Sequence, residues 1–138
     1  MEVIDMAETL TSSMENYLET IKNLETDKGV VRVKNVAQEL KVKMSSVSGA
    51  LETLAKERLI SHEKYGYIQL TDQGKRLAEA ICSRHRTLFK FLTEVLGVDP
   101  KTANEDACKM EHAVSPMVLE KLVELVESFS QRKQNWRG

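Results

Sequence analysis

Cysteine is nearly absent from the chain: 138 residues hold only Cys82 and Cys108. Two thiols cannot frame a disulfide scaffold, and they fit a reducing cytoplasm. Proline (2) and glycine (6) are equally sparse, so few positions break a helix. No apolar run reaches the roughly 18 residues of a membrane span. Met1-Glu2-Val3-Ile4-Asp5 lacks both a basic start and an apolar core, so no signal peptide is expected. Catalytic signatures are missing too. There is no Gly-x-Ser-x-Gly, no phosphate-cradling glycine loop and no His-Glu-x-x-His, and the chain reads as a non-enzyme.

What remains is a helix-rich composition, 41% apolar and 30% charged, enough for one domain or two small ones sharing a core. The net charge of −1 conceals a division. Lys28 to Arg76 holds ten Lys/Arg against five Asp/Glu, whereas Glu94 to Glu127 holds three against eight. The first window suits phosphates and the second suits cations, although ordinary solvated faces can carry the same balance.

Thr9 to Leu24 carries a helical stripe of Leu10, Met14, Tyr17, Leu18, Ile21 and Leu24, stopped by Asp27-Lys28-Gly29. Val33–Leu40 and Ser45–Glu57 form two short helices about the link Lys41-Val42-Lys43, a helix-turn-helix pattern. Val36, Ala37, Leu40, Val47, Leu51, Leu54 and Ala55 are its inward positions. From Leu59 to Leu70 the period changes to two around Tyr65-Gly66-Tyr67, which predicts a β-hairpin wing. Thr71 caps a long helix to about Leu96, with Gly74 tolerated in its first turn and Gly97 ending it. Asp99-Pro100 starts another helix through His112, and Ser115-Pro116 a last one through Phe129. The reading divides the chain into a winged helix-turn-helix DNA-binding domain (1–72), a helical domain (73–130) and a flexible tail (131–138). The fold class is mainly α with a small β wing.

The second short helix offers Lys43, Ser45, Ser46, Ser48 and Gly49 outward. Small polar side chains let a helix sit deep in the major groove. With no Arg, Asn or Gln at the helix start, readout falls to hydroxyls, methyl contacts and DNA shape. Lys64, Tyr65 and Tyr67 of the wing reach for a flanking phosphate or the minor groove. The bland alternative is a winged helix that binds protein.

Cys108, Glu111 and His112 recur at i, i+3 and i+4, one helix face bearing a thiol, a carboxylate and an imidazole. These donors make half of a divalent-metal site, set against the plainer reading of unrelated surface and core residues. His85, in Arg84-His85-Arg86, and the pair Asn16 and Glu19 on the first helix are candidates for the other half. Cys82 follows the apolar stripe and reads as a small buried hydrophobe. His62 reads as a solvated strand residue.

The pattern resembles the metal-dependent repressors of the diphtheria toxin repressor and manganese transport regulator type. The blocks that carry the resemblance run in order from residue 10 to 127. They are Met14-Glu15-Asn16-Tyr17-Leu18-Glu19-Thr20-Ile21, Val36-Ala37 with Ser45-Ser46-Val47-Ser48, and Leu70-Thr71-Asp72-Gln73-Gly74. Arg84-His85-Arg86, Leu96-Gly97-Val98-Asp99 and Asp106-Ala107-Cys108-Lys109-Met110-Glu111-His112 follow.

The resemblance implies a winged helix-turn-helix domain followed by a dimerisation and metal-binding domain. The implied protein is a cytoplasmic homodimer that binds a partly palindromic operator when loaded with Fe2+ or Mn2+, and represses metal-uptake genes. The implied ligands are mixed in type. Cys108 matches the iron branch and Glu19 the manganese branch, while Asn16 matches neither. The iron branch's second site would draw on positions 89 and 104, here Phe89 and Asn104. The length, with no room for a third domain, resembles the manganese branch. The softness of a thiolate favours Fe2+, and the balance falls on iron. A metal joining Asn16 and Glu19 to the other ligands would favour one spacing of the two reading heads. The dimer face is expected from Leu88, Phe91, Leu92, Val95, Val118, Leu122 and Val126. Two rivals are a metal-free winged-helix regulator sensing a small ligand or thiol oxidation, and a metalloenzyme.

Overall fold

Helix starts follow their capping residues. In the computed structural model, which describes residues 10–63 and 66–137 (the side chains of 133–137 excepted), Thr11 accepts the Met14 amide at 3.1 Å and opens α1, Ser12–Lys28. Gly29, at φ 79°, closes it by returning its N–H to the Glu25 carbonyl. Helix α1 thus starts and ends a few residues later than its apolar stripe suggested. α2 is Val33–Leu40 and α3 Met44–Lys56, as the helix-turn-helix pattern predicts. Lys41 turns the chain between them in the left-handed region (φ 57°).

Strands β1 (Ile60–His62) and β2 (Ile68–Leu70) pair antiparallel, with Ile60 opposite Leu70 and His62 opposite Ile68. Val31 adds a single bridge to Ile68, whose N–H reaches the Val31 carbonyl at 2.8 Å. The wing is therefore tied back to the segment before α2. Thr71 caps α4, Asp72–Lys90, by accepting the Gly74 amide at 3.0 Å. Gly74 is required there, not merely tolerated. A Cβ on it would stand 1.9 Å from the Leu59 carbonyl oxygen, which itself accepts the Thr71 N–H.

Two compact units divide the chain, Met1–Ala80 and Ile81–Gly138, and the division falls inside α4. The first unit buries Leu18, Ile21 and Leu24 of α1, Val36 and Ala37 of α2, and Val47, Ala50, Leu51 and Leu54 of α3, together with Ile60, Ile68 and Leu70 of the wing. Ala50 takes the inward place expected of Ala55, which is exposed.

In the second unit α4 gives way at Phe91–Val95 to a π-helical turn, with Leu96 N–H bonding the Phe91 carbonyl five residues back. Gly97 (φ 72°) and the Val98 N–H, bound to the Leu92 carbonyl, end it. Asp99 caps α5, Pro100–Met110, through the Thr102 amide at 3.0 Å, with Pro100 at the first helical position. That N–H and the Thr102 hydroxyl hold the Asp99 carboxyl below its usual range. Ser115 and Pro116 open α6, which runs to Arg137. The helix therefore passes Phe129 and runs through 131–137, the described part of the stretch expected to be a loose tail. Gln131 to Arg137 contains no glycine or proline, and good helix formers continue the turn.

The second unit's core is Leu88, Leu92, Ala103 and Ala107, with Phe89, Phe91, Met110 and Leu122 packed against it. Leu88, Leu92 and Val126 are buried within the single chain and cannot serve as an exposed dimer face. Among the described residues of this unit, Leu96, Met117, Val118 and Leu125 are the large exposed apolar ones.

Candidate metal centre and nucleic-acid face

On α3 the buried stripe Val47, Ala50, Leu51 and Leu54 turns the opposite face outward. Lys43, at the N-cap, with Ser45, Ser46, Ser48 and Gly49, is exposed. Val42 (40%) and Met44 (54%) are exposed beside them. Neither was chosen from the sequence, where apolar residues read as core. Exposed methyl and thioether groups at a helix start suit thymine methyls as well as water. In the wing, Arg32 Nη2 donates to Tyr67 Oη at 3.1 Å and its guanidinium lies 4.9 Å from the ring centroid. Lys64 and Tyr65, the other wing contacts expected, lie outside the described residues.

The four metal candidates of the second unit come from two helices. His85 belongs to α4, and Cys108 to the last turn of α5. Glu111 is the C-cap and keeps helical angles (φ −59°, ψ −26°), so the face shared by Cys108 and Glu111 persists past the helix end. His112 follows it. Ala103 and Ala107 sit at i, i+4 against Leu88 and Leu92. Carrying nothing beyond Cβ, they allow α5 to lie close to α4 and bring Glu111 to His85.

Glu111 is the centre of the arrangement and is fully buried. Its Oε2 is 2.8 Å from His85 Nδ1 and its Oε1 is 3.2 Å from His112 Nε2. Its backbone carbonyl accepts Arg84 Nη1 at 2.8 Å, which satisfies a helix-end carbonyl. The other ring nitrogen of His85, Nε2, lies 2.9 Å from Asn104 Oδ1. Burying a carboxylate is costly unless positive or donor groups surround it. Two imidazoles on one carboxylate meet that need in part, and a cation meets it more fully.

Donor atoms of His85, Cys108 and Glu111 all lie within 4.8 Å of one another. Ligands about 2.0–2.3 Å from one ion stand no more than about 4.6 Å apart, so the three can close on a single ion with little adjustment. Nitrogen, oxygen and thiolate together suit a borderline transition metal better than Ca2+ or Mg2+. The residues fit the ion that the sequence pattern implies.

Asn16 and Glu19 lie three residues apart on α1 in the first unit. Glu19 is buried and Asn16 half-buried. Glu15, which the sequence reading passed over, is buried as well. Phe89 belongs to the apolar core, and Asn104 bonds His85. Arg84 and Asn104 are named in the sequence reading only within a motif block and as a departure from the iron branch's second site, and their bonds to this centre are what it missed. A signal existed for the second: residues 104, 108, 111 and 112 stand at i, i+4, i+7 and i+8, one helix face. Cys82 is buried and His62 exposed. No described helix is long and apolar enough to cross a membrane.

Comparison with known proteins gives a consistent picture. Residues 9–68 match the family profile described as iron dependent repressor, N-terminal DNA binding domain. Residues 71–135 match the profile described as iron dependent repressor, metal binding and dimerisation domain. An HTH-type transcriptional regulator of Methanocaldococcus jannaschii is 36% identical over 124 residues, 89% of this chain and 99% of that one. The HTH-type transcriptional regulator MntR of Oceanobacillus iheyensis is 37% identical over 119 residues, 86% and 80% of the two chains. A solved manganese-dependent transcriptional repressor in complex with manganese superposes with a TM-score of 0.77 at 30% identity, covering 83% of this chain. This chain spans about half the length of that structure (52%).

Proposed function

The chain belongs to the iron-dependent repressor family, whose members are metal-dependent transcriptional regulators and not enzymes, and on that premise we propose that it is a metal-activated repressor. It binds operator DNA as a homodimer in the cytoplasm when loaded with Fe2+ or Mn2+, and it controls metal-uptake genes. The observation that carries the proposal is the convergence of His85, Cys108 and Glu111 donor atoms within 4.8 Å around a buried carboxylate.

His85 Nδ1, Cys108 Sγ and the Glu111 carboxylate would hold the ion, with His112 beside them. Asn16 and Glu19 are the first unit's proposed contribution, which rests on the family resemblance. When bound, the ion supplies the positive charge that offsets a thiolate and a carboxylate taken out of water. Cys108 supports iron over manganese, because thiolate is a soft ligand. The exposed serines of α3 and Lys43 read the major groove, and the wing reaches a flanking phosphate. Val118 and Leu125, seven residues apart on α6, together with Met117, offer an exposed apolar face for the second copy.

Selection from a random duplex pool tests the reading. DNA recovered anaerobically in Fe2+ or Mn2+ should converge on a partly palindromic site with half-sites about 34–36 Å apart, or a multiple of that. Convergence on the same site in EDTA, or no convergence in any metal, would overturn it.

A further inference from the structure

Glu52 is exposed on α3, and it is the one acidic residue of that helix. Ser45, Gly49, Glu52 and Lys56 stand at i, i+4, i+7 and i+11, a single row along the face away from buried Val47, Ala50, Leu51 and Leu54. The row lies within residues 9–68, the span matched by the DNA-binding profile. Gly49 clears a space about one turn before Glu52. A Cβ there would meet nothing within 4 Å, so no packing inside the fold asks for glycine. Glycine inside a helix costs stability, and here it leaves the backbone open to close approach from outside.

Among the described residues none forms a hydrogen bond or ion pair with the Glu52 carboxylate. The neighbouring hydroxyl, Thr53 Oγ1, turns its proton to its own helix and donates to the Gly49 carbonyl at 3.4 Å. A carboxylate only accepts hydrogen bonds. In the major groove guanine offers acceptors, thymine an acceptor and a methyl group, and adenine a donor beside an acceptor; cytosine alone offers an amino donor by itself. Phosphate oxygens repel a carboxylate, so the cytosine edge is the one that Glu52 favours. We infer that Glu52 is a specificity-determining residue that accepts a hydrogen bond from a cytosine N4 amino group in each half-site. The same charge weakens binding to duplexes without that base, so discrimination comes from repulsion as well as attraction.

This inference rests on α3 as the groove-reading helix, and its test separates the two. Selection from a random duplex pool is run anaerobically on the full chain in Fe2+ or Mn2+, for wild type, Glu52→Gln and Glu52→Ala. Wild type should select a C·G pair at one position of each half-site. Glu52→Gln should select A·T there, because an amide bonds adenine N6 and N7 together. Glu52→Ala should accept any pair at that position and keep the rest of the site. Fluorescence anisotropy with duplexes that differ only there should give wild type a preference for C·G of about 5-fold or more, the low end of what one mismatched pair costs, and Glu52→Ala none. One and the same site selected by all three proteins overturns the proposal and leaves the groove reading standing. So does tighter binding of both variants to every duplex by one common factor, which makes Glu52 a repelling charge without a base contact. Loss of convergence in both variants but not in wild type overturns it too, since one base contact does not carry a whole site. Failure of wild type to converge overturns the groove reading and the proposal with it.

Discussion

Replacing Glu111 by Gln should separate metal binding from folding. The side chain is fully buried, 2.8 Å from His85 Nδ1 and 3.2 Å from His112 Nε2. Gln has nearly the same shape, and its oxygen still accepts from an imidazole N–H. With no ion bound, Gln removes the cost of holding a charge out of water and keeps one acceptor, so the metal-free variant should unfold within about 1 kcal/mol of wild type. The metal-loaded proteins should differ much more. Loss of an anionic ligand should weaken the site by at least about 100-fold, or ~2.8 kcal/mol at 1.4 kcal/mol per decade. At a free-metal concentration about 1,000 times the wild-type Kd, linkage adds about 4.1 kcal/mol to wild type. The same concentration is only about ten times the variant's Kd and adds about 1.4 kcal/mol. Urea unfolding in EDTA and in buffered Co2+ measures both quantities. Equal stabilisation of the two proteins by metal would refute the ligand role of Glu111. A loss of several kcal/mol already present in EDTA would refute the view that its carboxylate is held chiefly for an ion.

Gly74→Ala should destabilise the first unit by about 2 kcal/mol or more in urea. The approach of 1.9 Å to the Leu59 carbonyl outweighs the ~1 kcal/mol that alanine gains in a helix. A neutral result would mean that the β-wing and α4 are not held together as described. Cys108→Glu should raise the Mn2+ response of DNA binding relative to Fe2+, because a hard carboxylate replaces a soft thiolate. An unchanged metal preference would remove Cys108 from the site. Lys43→Ala should weaken binding about equally on all sequences and lower the salt-dependence slope by about 1. A selective loss on one base change would instead make Lys43 a base contact.

Much of the fold could be read from punctuation. Thr71, Asp99 and Ser115 cap the helices they were expected to cap, and Gly97 ends the segment it was expected to end. The two-residue period around Ile60 and Ile68 identified the wing. Continuations were harder to see. The stripe Leu88, Phe91, Leu92 runs through the π-helical turn without a change of residue type, so nothing local marks the wider turn. Helix α6 outlasts its apolar stripe because polar helix formers extend it. At the metal centre, spacing along one helix pointed to Cys108, Glu111 and His112. His85 on another helix is named as well, but the hydrogen bonds that run between the helices are beyond that kind of reasoning. The bond from Arg84 to the Glu111 carbonyl and that of Asn104 with His85 depend on how closely Ala103 and Ala107 let α5 pack on α4. Leu88, Leu92 and Val126 were assigned to a dimer face because apolarity alone does not distinguish a chain's own core from a partner's.

Metal-dependent DNA binding is the central claim, and one titration tests it most directly. Fluorescence anisotropy of a labelled operator duplex is followed against protein under anaerobic conditions at 0.15 M salt, once with saturating Fe2+ or Mn2+ and once with EDTA. A coupling of about 1–3 kcal/mol predicts operator affinity about 5–150-fold higher with metal. The Glu111→Gln variant should lose most of that ratio while keeping the EDTA affinity. Equal operator affinity with metal and with EDTA for the wild-type chain would contradict the account.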